Sequence, residues 1–123
     1  MRPSLSVLIV AFNSSAVLPQ TIPPLLAELS EGDELIVVDN DSRDGSPEMV
    51  EQNYPEATLI RAGANLGFAK GNNLARKHAR GSQFALVNSD ALVHPGALET
   101  LSRYLDEHPG VGLVGPRVNG GDG

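Results

Sequence analysis

Residues 35–45 read LIVVDNDSRDG: four apolar residues run into Asp39, Asn40, Asp41, Ser42 and Asp44 before Gly45 turns the chain. A short run that is continuously apolar, not alternating, predicts a strand covered on both faces. Its abrupt polar end predicts an edge that opens on solvent or on a ligand. The fold therefore depends on whether the rest of the chain repeats this strand-then-polar-edge pattern.

It does. SVLIVAF (Ser6–Phe12), ATLIR (Ala57–Arg61) and QFALVN (Gln83–Asn88) have strand character, and VGLVGP (Val111–Pro116) is a weaker fifth run. The first and the last of those three, like LIVVD, predict strands covered on both faces. Segments of helical length lie between them. Ser14 or Ser15 is placed to cap a helix running to about Leu29, which Pro23-Pro24 should kink or restart. Ser46-Pro47-Glu48 predicts a second helix with Ser46 as N-cap and proline at the first position. Phe68 to about Ala79 forms a third, with basic residues in its last turn. Pro95-Gly96 introduces a fourth through Leu98, Leu101 and Leu105, ending before Pro109.

Strand and helix alternate throughout, which predicts an α/β fold with a mainly parallel sheet. Ligands of such sheets sit beyond the carboxyl ends of the strands. Those ends are Ala11-Phe12-Asn13, Asp39-Asn40-Asp41 and Asn88-Ser89-Asp90, all of which turn polar.

Composition narrows the chemistry. A chain of 123 residues can bury a core without disulfides or metals. It has no cysteine, which rules out a disulfide framework or a thiolate metal site and fits a reducing compartment. The net charge is −6, with no basic stripe, so nucleic-acid binding is not expected. An acidic protein can still hold an anionic nucleotide if a divalent cation or backbone N–H groups supply positive potential. No signal-type apolar core follows Met1, and no run reaches spanning length.

Each strand-end motif has more than one reading. Asn40, Ser42, Asp44, Gly45 and Glu51 fall at calcium-loop spacings, but a strand precedes them where a helix is needed. A polar turn accounts for the same residues. A nucleoside site also does: a carboxylate at a strand end accepts hydrogen bonds from base or ribose, and a buried Asp needs such a partner or a structural one.

In extended backbone Asn88 and Asp90 would point the same way and converge as two hard oxygen donors, suited to Mg²⁺ or Mn²⁺. Asp90 starting a turn is the plainer alternative, and His94 reads as a surface loop histidine. In NLGFAKGNN (Asn65–Asn73), Gly67 and Gly71 permit close backbone approach to a ligand at a helix start. Neither a P-loop nor a G-x-G-x-x-G spacing is present. Lys70 and Arg61 read first as solvated charges. A phospho-receiver domain would need an acidic pair after the first strand, where Phe12-Asn13-Ser14 stands instead.

Taken together, SVLIVAFN, LIVVDNDSRDGS, NLGFAKGNN, LVNSDALVHPGAL and VGLVGPRV resemble the nucleotide-sugar-binding half of inverting family 2 glycosyltransferases, the rhamnosyltransferase-like branch above all. The resemblance implies a three-layer α/β/α Rossmann-like GT-A core. It implies a base and ribose pocket lined by Ala11, Phe12 and Asn13, with Asp39 on the pyrimidine and Asn40 and Ser42 supporting the loop. Asn65, Gly67 and Asn73 would border the nucleotide, with Ser89 also on its wall.

Asp90 would be the second acid of the family's D-x-D metal motif and Asn88 its first position, together holding Mn²⁺ or Mg²⁺. The donor would be a UDP- or dTDP-linked sugar and the acceptor a polysaccharide or lipid-linked glycan of the cell envelope. By the same resemblance, residues 1–123 are the donor part of a longer enzyme, with the general base and acceptor half downstream. The setting would be cytoplasmic, or peripheral at the inner face of the membrane. An uncovered apolar face would favour a homodimer. A non-catalytic nucleotide-sugar-binding module is the alternative, favoured by the amide of Asn88 where many relatives carry an acid.

Overall fold

The apolar runs become strands because each buries β-branched side chains on a pleated surface, and the segments between them become helices that cover it. The computed structural model describes residues 4–110. Along them run β1 (Leu5–Ala11), α1 (Leu18–Glu28), β2 (Glu34–Asp39), α2 (Ser46–Asn53), β3 (Thr58–Arg61), α3 (Gly67–His78), β4 (Gln83–Asn88) and α4 (Ala97–Glu107). The weak run Val111–Pro116 lies outside the described residues.

The strands form one sheet in the order β3-β2-β1-β4, with every pairing parallel. Alternation sorts side chains onto two faces. Leu5, Val7, Ile9 and Ala11 of β1 and Leu35 and Val37 of β2 share one core with Leu18, Ile22 and Leu25 of α1, Val50 of α2 and Leu98 of α4. Leu8, Ile36 and Val38 face the other way, under Ala75 of α3. The result is the expected three-layer α/β/α arrangement.

Some expectations need correction. β4 is not covered on both faces: Val87 is buried, but Phe84 and Leu86 are 43% and 56% exposed. α3 lies over β1 and β2, and β4 is an edge strand among the described residues. A continuous apolar run does not reveal which strand will be at the edge.

α1 begins at Leu18, after a turn in which the Ser14 carbonyl accepts from the N–H groups of Val17 and Leu18. Neither Ser14 nor Ser15 caps it, and Pro23 and Pro24 do not restart it. Burial of Leu18, Ile22 and Leu25 along one face offsets the hydrogen bonds lost at the two prolines. α2 is preceded by Gly45, not capped by Ser46, because the entry residue has φ +84°, which suits glycine.

Candidate functional site

β1, β2 and β4 end together at one edge. Ala11 pairs with Asp39 on one side of β1, and Val10 pairs with Asn88 on the other. Two strand spacings therefore separate Asp39 from Asn88, about 10 Å of backbone with the β1 exit between them. The chain moves from β1 to β2 to β3 in one direction and then returns to place β4 beyond β1. The strand order thus reverses beside this edge, a usual place for a ligand crevice.

Asp39 is 3% exposed and Asn40 2% exposed. The hydroxyl and the amide N–H of Ser42 each donate to an oxygen of Asp39, at 2.6 and 2.9 Å. Asp39 is thus a buried carboxylate with a structural partner, and each oxygen keeps a further lone pair. Across from it, Asn13 has φ +50°, donates its N–H to Ser42 Oγ at 2.9 Å and accepts from the Arg43 N–H at 2.8 Å. Phe12 is 48% exposed at this rim. Ala11 is different: its side chain is in the core and its carbonyl accepts the Asn40 N–H, so it presents no side-chain surface at this edge.

Asn40 ties β2 to the start of α3, donating from Nδ2 to the Gly67 carbonyl at 3.1 Å. Asn65 and Gly67 are both exposed there, and Asn65 Oδ1 accepts the Gly67 N–H at 3.0 Å. Gly67, at φ +81°, has open space where a Cβ would stand. Gly71 has another use than expected. A Cβ on it would meet Val10 Cγ1 at 2.9 Å, so this glycine lets α3 approach the sheet, not a ligand. Asn73 is exposed, whereas its neighbour Asn72 is 8% exposed with an unpaired Oδ1.

At the third strand end, Ala91 N–H donates to the Asn88 carbonyl at 3.1 Å. Ser89 and Asp90 are therefore the middle of a turn, and the extended alternation expected to align Asn88 with Asp90 does not continue past the strand. Both side chains are exposed. Among the described residues no three Asp, Glu or His side chains gather as a metal cluster. Ser89 turns inward: its carbonyl accepts from Thr21 Oγ1 at 2.8 Å, and its hydroxyl lies 3.2 Å from Ser14 Oγ. Arg61 is engaged by Glu48 and Glu51 of α2, at 2.9 and 3.5 Å, which makes it a surface ion pair. Glu51 is thereby removed from any calcium loop.

Three further residues organise the site. Asp44 accepts from the Ser15 N–H at 2.9 Å, the Ser46 N–H at 3.0 Å and the Ser46 hydroxyl. The Ser46 Oγ in turn accepts the Ser14 N–H at 2.9 Å. Desolvation pushes the Asp44 carboxyl up, but the Ser46 hydroxyl and the Ser15 N–H outweigh it and hold the group well below the usual carboxylate range. An aspartate two residues before a helix-opening serine carries a local signal for the Ser46 bonds. Nothing local in the sequence signals the partners at 14 and 15.

A family model described as glycosyl transferase family 2 matches residues 6–123. The chain belongs to glycosyl transferase family 2. Similar family 2 proteins include the N-acetylglucosaminyl-diphospho-decaprenol L-rhamnosyltransferase of Mycobacterium tuberculosis, 26% identical over all of this chain and 44% of that protein. Among solved structures, the mannosyltransferase PcManGT from Pyrobaculum calidifontis, in complex with GDP-Man and Mn²⁺, superposes with a TM-score of 0.79 at 25% identity. That match covers 85% of this chain and 33% of that one. S. aureus TarS residues 1–349, in complex with UDP, gives 0.77 at 25% identity over 86% and 33%. This family 2 chain thus spans about a third to under half of the curated relatives it matches.

Proposed function

We propose that this chain is the donor-binding part of an inverting glycosyltransferase. The enzyme would move a sugar from a nucleotide-diphosphate sugar to a polysaccharide or lipid-linked acceptor in cell-envelope glycan synthesis. The observation that carries the reading is the shared edge at which Phe12-Asn13, Asp39-Asn40 and Asn88-Ser89-Asp90 end adjacent parallel strands in a family 2 chain. TarS bound to UDP and PcManGT bound to GDP-Man supply the ligand class. UDP, dTDP and GDP sugars are the donors to test.

In this reading Asp39, fixed by Ser42, accepts a hydrogen bond from the base. Phe12 and Asn13 form the facing wall, and the exposed Asn65, Gly67 and Asn73 lie along the nucleotide. Asn88 and Asp90 suit a hard divalent ion: two exposed oxygen-bearing side chains at one turn leave room for water and phosphate oxygens. They would hold Mn²⁺ or Mg²⁺, the former being the ion in PcManGT. When bound, that ion neutralises charge on the departing nucleotide diphosphate. The general base and the acceptor site are assigned to other parts of the full-length protein.

Among the described residues no helix is long and apolar enough to cross a membrane. A cytoplasmic setting, or a peripheral one at the inner membrane face, follows from the donor and a lipid-linked acceptor. The exposed Phe84 and Leu86 supply the apolar face on which two copies would pair, readable by sedimentation.

Calorimetry of the chain with UDP, dTDP and GDP, with and without Mn²⁺, tests the donor reading. Metal-dependent binding of at least one is expected. A folded chain that binds none of them removes the reading. The amide of Asn88 favours a second reading, a module that binds the nucleotide sugar without chemistry; donor hydrolysis or transfer by the full-length protein would exclude it.

A further inference from the structure

The loop after β1 and the loop after β2 each contain a non-glycine residue in the left-handed region, Asn13 at φ +50° and Asp41 at φ +66°. Such backbone is disfavoured for residues with a Cβ and persists where the surroundings hold it. The surroundings here centre on one side chain. Asp44 Oδ2 accepts from the Ser15 N–H, and Oδ1 accepts from the backbone and hydroxyl of Ser46. The Ser46 hydroxyl oxygen then takes the buried Ser14 N–H. Two of these four bonds, Ser15 to Asp44 and Ser14 to Ser46, join the two loops across about thirty positions of sequence, and the other two brace Asp44 against Ser46.

Immediately beside this clamp, Asn13 is bonded to Ser42 and Arg43, and Ser42 to Asp39. On the other side, Ser14 Oγ lies 3.2 Å from Ser89 Oγ at the end of β4.

We infer that Asp44 is a positioning residue for the donor site: it locks the β1 loop onto the β2 loop and so holds Phe12-Asn13 at a fixed separation from Asp39. This rests on the donor reading above. Asp44 does not act by stabilising the core. It is exposed, and its partners are Ser15 in the loop after β1 and Ser46 at the first position of α2. A carboxylate is required because three donors converge on it. An amide has one acceptor oxygen and would bring its own N–H₂ against the Ser15 or Ser46 donors. The strongly depressed pKa agrees with an anion solvated by protein N–H and O–H groups.

The test uses Asp44→Asn, with Ser46→Ala and the double variant, in the same chain. UDP, uridine and pyrophosphate with Mn²⁺ are titrated, and backbone amide exchange is followed without ligand. Asp44→Asn is expected to weaken UDP and uridine alike, on the order of tenfold as for lost charge-assisted hydrogen bonds. Pyrophosphate–Mn²⁺ binding should stay at the wild-type level, because it does not use the Asn13–Asp39 separation; a purely structural role would not produce that split. Exchange should accelerate at Asn13 and Ser15, and the double variant should lose no more than the worse single one.

Wild-type affinity for UDP in Asp44→Asn overturns the inference, as do additive losses in the double variant. So does an Asp44→Asn chain that fails to fold, which would make Asp44 a determinant of the fold. If the wild-type chain binds none of the three ligands, the donor reading fails and exchange alone decides. Unchanged protection at Asn13 and Ser15 then overturns the clamp, and faster exchange confined to the loops after β1 and β2 supports it.

Discussion

Ser42 engages both oxygens of Asp39, its hydroxyl at 2.6 Å from Oδ1 and its amide N–H donating to Oδ2 at 2.9 Å. This pair explains how a carboxylate can be 3% exposed at the end of a parallel strand without a ligand. It also separates two roles that a single substitution would confuse. Asp39→Ala should lose roughly 1–3 kcal/mol of nucleotide affinity and also some stability, because the Ser42 donors lose their acceptor. Ser42→Ala keeps the carboxylate and one of its two bonds, and should cost about 1 kcal/mol of stability with a smaller loss in affinity. Calorimetry and thermal melting of the two variants check the ranking; equal nucleotide affinity in Asp39→Ala and wild type would return Asp39 to a structural role.

Asp90 is exposed in the turn after β4, so its removal should leave the fold intact. Asp90→Ala is expected to abolish the Mn²⁺ dependence of UDP binding with little change in melting temperature. A retained metal dependence would take Asp90 out of that role.

Gly71→Ala sets two effects against each other. Alanine gains about 1 kcal/mol of helix propensity over glycine. Its Cβ, however, would stand 2.9 and 3.0 Å from the two Val10 methyls and 3.4 Å from Asn40 Nδ2. Overpacking of this kind costs roughly 1–3 kcal/mol, so the net change should be destabilising. The check is denaturant unfolding, with Val10→Ala added to Gly71→Ala: part of the loss should return once the methyls are gone.

The depressed pKa of Asp44 gives a pH signature with a definite sign. The folded-state value lies below the ordinary 3.8, so the contribution of this carboxylate is fully present above pH 3.8 and lost as pH falls through the folded value. Melting temperatures of wild type and Asp44→Asn should therefore differ by a constant amount from neutral pH to about pH 5. The gap should narrow only in strong acid. A gap that closes already near pH 5 would mean that Asp44 is not held as an anion.

Glu34 carries a second acid-sensitive contact at the far end of the sheet. Burial raises its pKa, but the Arg80 N–H, the Ser6 hydroxyl and the Arg80 guanidinium together bring it below 4.5. Glu34→Gln should lower stability above pH 4.5 and leave UDP affinity unchanged, since Glu34 lies at the opposite edge from the strand ends. A change in UDP affinity would show that the two edges are coupled.

The sequence by itself determined the alternation of strand and helix, the mainly parallel character of the sheet and the polar strand ends at Asn13, Asp39 and Asn88. Each of these is written within a few consecutive residues, as an apolar run, a cap or a turn former, and so can be read without a partner. The tertiary structure alone decided four matters. It left Phe84 and Leu86 exposed on a strand that is at the edge among the described residues, gave Gly71 to packing against Val10, and tied Ser89 to Ser14 and Thr21. It also brought Asp44 to Ser15 and Ser46 to Ser14. These outcomes depend on contacts between residues about thirty or more positions apart or on the order of strands in the sheet, and local composition carries no term for either.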